Sequence, residues 1–229
     1  MDNIQIIETG DGSHTLLNTT LDETYHSRHG AWRESEHVFI QHGLQYWLDS
    51  HLTASAIRIF EVGLGTGLNA WLTMMKAQAV SQVQFHYTAL EPYPIAEVVL
   101  QQLNYVQQQE QAKKEYFAAI HQADWNQPES LLENFTLDKQ QIKLEDLEAT
   151  ENFDLVYFDA FAPNKQPELW EKPVIEKVTN LLNPSGVWVT YSAKGQLKRD
   201  LKSLGLQVET LSGPPGKAEM VRAIKSSSA

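Results

Sequence analysis

Ile57-Arg58-Ile59-Phe60-Glu61-Val62-Gly63-Leu64-Gly65-Thr66-Gly67-Leu68-Asn69 is the stretch whose reading decides the fold. Residues 57–62 are apolar and β-branched enough to predict a strand. Leu68, Trp71, Leu72, Met75 and Ala79 recur at helical spacing and predict one apolar face of a helix. Glycines at alternate positions between the two let the backbone turn tightly and approach a ligand without Cβ atoms in the way. Strand, glycine turn and helix in that order open an α/β fold with a mostly parallel sheet.

The same alternation continues outward. Residues 83–90 read as the next strand, ending in Glu91, and Pro92 and Pro94 are placed to open a helix. The glutamine-rich region 101–134 is read as helical. Strands are expected over 135–144, 153–159 and 186–192, the last introduced by an Asn183-Pro184-Ser185-Gly186 turn. A helix carrying Leu197, Leu201 and Leu204 follows, and then a closing strand pair at 206–211 and 219–224. Upstream, residues 4–8 and 14–17 flank Asp11-Gly12, a hairpin-turn dipeptide. A helix running through Leu48, interrupted at Gly43, completes this appendage. The expected organisation is an N-terminal extension, 1–55, packed on a core domain, 56–229.

Composition narrows the class. The 229 residues are 42% hydrophobic and 21% charged, an ordinary globular balance. The absence of cysteine removes disulfides, thiolate metal sites and cysteine nucleophiles, and fits a reducing compartment. No basic and apolar leader and no apolar run of membrane length is present, so a soluble, cytoplasmic unit is expected. The net charge of −11 speaks against coating nucleic acid by bulk electrostatics. From Thr190 onward, however, seven basic residues face three acidic ones, a local +4 on a body of −15. Such a patch suits a polyanion held at one place, or a solvated helix face.

Two motifs carry the chemistry. Glu61 and Glu91 end successive strands beside the glycines, and a carboxylate at such a strand end can accept hydrogen bonds from ribose hydroxyls. Gly65-Thr66-Gly67-Leu68-Asn69-Ala70 also satisfies G-x-G-x-x-G/A, so a nicotinamide or flavin dinucleotide is a second reading. Glu61 two residues before the first glycine resembles the E/D-x-G-x-G-x-G signature of Rossmann-like methyltransferases, and with the absent third glycine of the dinucleotide register this resemblance favours S-adenosylmethionine. The second motif is Phe158-Asp159-Ala160-Phe161-Ala162-Pro163-Asn164, directly after a strand. It either presents a carboxylate and a stacking surface to a substrate or uses Asp159 as a helix cap. His26, His29, His37 and His42 fall close together, but no H-E-x-x-H or carboxylate spacing accompanies them, so no metal is expected. Ser27, Ser35 and Ser192 lack a G-x-S-x-G elbow.

Taken together the segments resemble the methyltransferase domain family of the bacterial tRNA 5-methylaminomethyl-2-thiouridine biosynthesis bifunctional protein. The resemblance covers nearly the whole chain. It is carried by Asp11-Gly12-Ser13-x-Thr15, Tyr25-His26-Ser27-Arg28-x-Gly30-Ala31, Glu34-Ser35-x-x-Val38-Phe39 and the glycine motif through Asn69. It continues in Asp159-Ala160-Phe161-Ala162-Pro163-Asn164-Lys165-x-Pro167-Glu168-x-Trp170, Thr190-Tyr191-Ser192-Ala193-Lys194-Gly195 and Gly213-Pro214-Pro215-Gly216-Lys217-x-Glu219-Met220. Members often carry an FAD-dependent oxidoreductase domain after the methyltransferase; this sequence resembles the form without it.

The resemblance implies a Rossmann-like S-adenosylmethionine-dependent methyltransferase fold with an N-terminal extension. It implies N-methylation of the 5-aminomethyl group of a tRNA wobble uridine, with a separate enzyme supplying that intermediate. Glu61, Gly63, Gly65, Gly67, Asn69, Glu91 and Asp146 would hold the cofactor. Asp159 would be the catalytic acid–base group. Phe161, Trp170, Tyr191, Lys194 and Lys217 would meet the anticodon loop, with Lys198 and Arg199 as further phosphate contacts. The rival readings are a dinucleotide oxidoreductase, an aminopropyltransferase on the same fold, and a non-catalytic tRNA-binding module.

Overall fold

A computed structural model describes residues 3–107, 110–148 and 152–227. The chain begins with an antiparallel hairpin, β1 (Ile4–Glu8) and β2 (His14–Asn18), to which β3 (Glu23–Thr24) adds a third short strand. Asp11 closes the hairpin. Its Oδ1 accepts from the Ser13 amide and the Thr9 hydroxyl, and its Oδ2 accepts from the Arg33 amide at 3.0 Å. One aspartate therefore fixes both the turn and the start of the helix that follows, where an anion is favoured by unpaired amides.

That helix is continuous: α1 (Ala31–Ser35), a π-helical run (Glu36–Gln45) and α2 (Tyr46–Ser50). Gly43 does not interrupt it. A Cβ there would stand 3.0 Å from Val189 Cγ2 and 3.2 Å from Tyr157 Cε1, so glycine serves close packing of the helix on the sheet.

The core alternates strands and helices: β4 (Ala56–Val62), α3 (Leu68–Ala79), β5 (Gln84–Leu90), α4 (Glu97–Leu100), α5 (Gln111–Gln122), β6 (Pro128–Leu132), β7 (Phe135–Gln140), β8 (Phe153–Phe158), α6 (Lys172–Asn180), β9 (Leu182–Thr190), α7 (Gly195–Ser203), β10 (Leu206–Ser212) and β11 (Glu219–Lys225). Among the described residues the strands form one sheet in the order β10-β11-β9-β8-β4-β5-β7-β6. The five from β9 to β7 are parallel, and β6, β11 and β10 are antiparallel additions at the edges.

Strand residues are buried on both faces. Ile57, Ile59, Tyr87 and Tyr157 pack toward α3 and the long N-terminal helix, whereas Phe60, Val62, Phe158 and Trp188 pack toward α6 and α7. This double cover is why the parallel strands read as near-continuous apolar runs. The strand order reverses between β4 and β8, which opens a crevice above their carboxyl ends.

Four local expectations need correction. The helix after Glu91 starts at Glu97, so Pro92 and Pro94 lie in the preceding loop. Region 101–134 is helical mainly over Gln111–Gln122 and then supplies the edge strand β6, whose pairing to β7 outweighs its weak periodicity. The 183–186 turn lies inside β9 as an irregularity, with Ser185 at φ +62°. Helix α3 buries Asn69, Thr73 and Met74 along with Leu68, Trp71 and Leu72 of its predicted face, because other helices cover its outer side, whereas Met75 is half-buried and Ala79 exposed.

Candidate active site

The carboxyl ends of β4, β5 and β8 converge on the glycine turn. The amides of Gly63 and Leu64 both donate to the Leu90 carbonyl at 3.0 Å, which locks the turn to the end of β5. Gly63 has φ +91°, and a Cβ on it would lie 2.8 Å from the Asp159 carbonyl oxygen. Glycine is required here for close approach of two strand ends as well as for its left-handed backbone. Gly65, at φ +51°, donates its amide to Glu91 Oε2 at 3.0 Å, and the Tyr93 amide donates to Glu91 Oε1 at 3.0 Å. Two amides therefore orient the Glu91 carboxyl, and burial raises its proton affinity.

Beneath the turn lies a linked pair of acids. The Asn69 Nδ2 amide donates to Glu61 Oε1 at 3.0 Å and to Asp159 Oδ2 at 2.8 Å. Glu61 is fully buried and its Oε2 has no hydrogen-bond partner in the protein; the same holds for Asn69 Oδ1. Burial pushes the Glu61 carboxyl well above the usual carboxylate range. Asp159 is pushed up to about 7, first by burial and then by the charge of Glu34, against the Asn69 hydrogen bond and the Lys217 ammonium.

The opposite wall is aromatic. Tyr191 Oη donates to the Ala160 carbonyl at 2.8 Å, and the Phe161 ring meets Tyr25 edge-on at 4.9 Å between centroids. Lys217 Nζ sits 3.6 Å from the centre of the Tyr191 ring and pairs with Glu34, whose Oε2 accepts from the Ser27 amide at 2.6 Å. These walls enclose a cavity of about 750 Å³, within the size range of small-molecule sites.

Of the residues singled out in the sequence, Gly63, Gly65, Glu91, Asp159, Phe161, Tyr191 and Lys217 line this cavity. Glu61 and Asn69 stand behind it, and Gly67 caps the start of α3. Asp146, Trp170, Lys194, Lys198 and Arg199 do not line it. Asp146 is exposed at the end of a 3-10 turn (Leu144–Asp146), whose preceding residues Leu144 and Glu145 do line the cavity. Trp170 is buried in the core, and its Nε1 donates to the Phe161 carbonyl at 2.8 Å, so it supports the loop from beneath. Lys194 is exposed just before α7, outside the cavity. Lys198 pairs with Glu219 at 3.0 Å, and Arg199 donates to Gln196.

The cavity also takes in Tyr25, His26, Ser27 and Glu34. Their density of polar and aromatic side chains was visible in the sequence, but nothing local aimed it at a site. The histidine cluster splits: His26 is buried beside Thr15, whereas His37 and His42 stay in edge-on contact at 4.6 Å between ring centroids, with His37 Nε2 2.8 Å from the Ser212 carbonyl oxygen. Among the described residues no group of three or more His, Asp or Glu side chains could hold a metal ion.

The donor set fits an adenosyl group bearing an amino acid. Glu91 offers a pre-oriented acceptor for vicinal hydroxyls, the Gly63–Gly65 backbone leaves room for close approach, and Glu61 Oε2 and Asn69 Oδ1 are unpaired acceptors beneath.

A family profile for S-adenosyl-L-methionine-dependent methyltransferases matches residues 103–226. The chain is similar to the tRNA 5-methylaminomethyl-2-thiouridine biosynthesis bifunctional protein MnmC of Idiomarina loihiensis, 29% identical over 218 residues covering 90% of this chain and 36% of that protein. The protein of the same name from Pseudoalteromonas atlantica is 29% identical over 227 residues, 92% of this chain and 32% of the relative. The chain thus spans about a third of the length of these curated relatives. Among solved structures, MnmC2 from Aquifex aeolicus is similar with a TM-score of 0.79 and 25% identity, covering 99% of this chain and 70% of that one. Spermidine synthase from Thermotoga maritima, at a TM-score of 0.53 and 11% identity, covers all of this chain and 74% of that one and shares the fold alone.

Proposed function

The chain belongs to the S-adenosyl-L-methionine-dependent methyltransferase family, and from that premise we propose that it methylates the primary amine of a 5-aminomethyl-uridine at the tRNA wobble position. The product would be 5-methylaminomethyl-uridine, with or without a 2-thio group. Family membership decides the two readings of the glycine cluster in favour of S-adenosylmethionine over a dinucleotide. The names of the MnmC relatives and the amine-compatible floor of the cavity support the acceptor.

The observation that carries the proposal is Asp159, fixed by Asn69 in the cavity with a proton affinity near neutrality. When bound, S-adenosylmethionine supplies an electrophilic methyl carbon on a sulfonium. The acceptor nitrogen must offer a lone pair, whereas a free alkylamine is mostly protonated at neutral pH, by analogy with lysine. Asp159 orients the amine and accepts its proton, which is most effective when the base titrates near the working pH. Phe161, Tyr25 and Tyr191 give the base flat apolar walls, the means by which single-stranded loops are read. Glu91 and the glycine turn hold the cofactor, and Glu61 and Asn69 support its amino-acid end.

In this reading residues 1–55 are an extension that helps build the acceptor side of a methyltransferase domain, 56–229. A separate enzyme provides the aminomethyl intermediate, and the reaction is cytoplasmic. No described helix is long and apolar enough to cross a membrane.

The test is incubation with S-adenosylmethionine and tRNA carrying 5-aminomethyl-uridine, followed by nucleoside mass spectrometry. Conversion to 5-methylaminomethyl-uridine is expected, and Asp159→Asn should lower kcat by about 10²–10⁴, the range for general base catalysis, with partial rescue at higher pH. An unmodified uridine in the presence of a protein that binds S-adenosylhomocysteine would overturn the acceptor assignment.

A further inference from the structure

We infer that Glu34, clamped by Lys217 and the Ser27 amide, is a positioning residue for the transfer: its charge acts across the cavity on Asp159, and Lys217 sets how much of that charge is felt. The inference rests on the amine-acceptor reading only for its catalytic consequence; the electrostatic arrangement stands in the protein alone.

Glu34 comes from α1 and Lys217 from the Gly213–Lys217 loop between β10 and β11, so both reach the site from outside the glycine-turn half. Each Glu34 oxygen is committed, Oε2 to the Ser27 amide and Oε1 to Lys217 Nζ. Lys217 is held a second time by the face of Tyr191, whose hydroxyl is anchored on the residue after Asp159. The ammonium is thus engaged by a carboxylate and a ring face within the site, a partnership that the sequence did not reveal. The two partners are unequally placed. The Glu34 side chain is 6% exposed and the Lys217 side chain 32%. Water therefore screens the cation better than the anion, and a net negative field remains in the cavity.

The groups that face Asp159 come from several elements. Glu61 of β4 is linked through Asn69, Tyr87 of β5 and Tyr191 at the end of β9 are neutral phenols, Glu34 is anionic and Lys217 cationic. Glu34 and Lys217 are the opposed charges of this set, and they act on Asp159 in opposite senses.

The experiment is a carbon-13 carboxyl titration of the full chain, with the Asp159 resonance assigned by Asp159→Asn. Glu34→Gln keeps the shape and the Ser27 contact and should move the Asp159 midpoint down by about one pH unit. Lys217→Met should move it up. The acid limb of the methylation rate against pH should follow each shift, while S-adenosylhomocysteine affinity changes less than about twofold, a small effect on the tenfold-per-1.4-kcal/mol scale. If Lys217→Met fails to fold around an unpaired acid, the double variant Glu34→Gln/Lys217→Met removes both charges of the pair and should titrate below the wild type. Midpoints that stay in place, or move the same way in both single variants, overturn the inference. Shifted midpoints in a protein that leaves aminomethyl-uridine unmodified would overturn the acceptor assignment and leave the electrostatic role standing.

Discussion

Replacing Asp159 by Asn should change the pH dependence of folding stability in a direction fixed by the structure. The native carboxyl titrates at about 7 against an ordinary value of 3.8. A group with a raised native value is protonated in the fold and ionised in the unfolded chain throughout the interval between the two. Unfolding then releases a proton, so stability falls as pH rises from about 4 to about 7 and levels off above. The displacement of roughly three pH units corresponds to about 4 kcal/mol at most. Because the carboxyl opens into the cavity, solvent screening reduces this to about 2–4 kcal/mol. Asparagine does not titrate and can still accept the Asn69 hydrogen bond. Urea unfolding at half-unit steps from pH 4 to 8 should show the variant gaining on the wild type by that amount across the interval. The raised carboxyls of Glu61 and Glu91 contribute to both proteins and largely cancel in the difference. Two stability curves that run parallel would refute the claim that Asp159 is held protonated by its surroundings, and with it the argument that it is tuned as a base.

Other perturbations test the rest of the site. Glu91→Ala removes the acceptor fixed by the Gly65 and Tyr93 amides, and calorimetry should show cofactor affinity weakened by about 1.5–3 kcal/mol; unchanged affinity would take Glu91 out of the site. Gly63→Ala forces a Cβ against the Asp159 carbonyl at φ +91°, so thermal unfolding should register a loss of about 1–3 kcal/mol, accompanied by slower methyl transfer. Trp170→Phe loses the hydrogen bond to the Phe161 carbonyl and should cost about 1 kcal/mol of stability. A large rise in KM for tRNA without that destabilisation would restore Trp170 to the substrate surface.

Much of the scaffold was legible because period and punctuation agree locally: the strand before Gly63, the helix after Gly67 and the strand before Asp159 all fall where predicted. Strand β6 was not, since an edge strand opening on Pro128 and containing Glu129 and Ser130 owes its state to pairing with β7 and not to its own pattern. Gly43 looked like a helix breaker in sequence, and only the proximity of Val189 and Tyr157 reveals a packing requirement. For the site, Glu91 and Asp159 were visible as acids at strand ends. Trp170 and Lys194 share motifs with cavity residues, but neighbourhood in sequence does not say which way a side chain faces. The pairing of Glu34 with Lys217 spans 183 positions; no local signal encodes a contact of that range.

The geometry divides labour in a way that bears on specificity. In the proposed function the cofactor side is made from the strand ends of the sheet: the glycine turn after β4 and Glu91 after β5. A fold held in common with spermidine synthase at 11% identity leaves the choice of acceptor to whatever is packed onto that sheet. In this chain the parts packed over the cavity are Tyr25, Ser27 and Glu34 from the N-terminal segment and Lys217 from the loop before β11, joined to each other by the Glu34–Lys217 pair. His29 packs so closely on Gly216 that a Cβ there would overlap its ring. The two segments therefore hold each other in place over the part of the cavity to which the proposed function assigns the acceptor. A substitution that loosens the clamp should alter the handling of the amine before it alters cofactor binding, because Glu91 and the glycine turn are fixed by separate hydrogen bonds within the sheet.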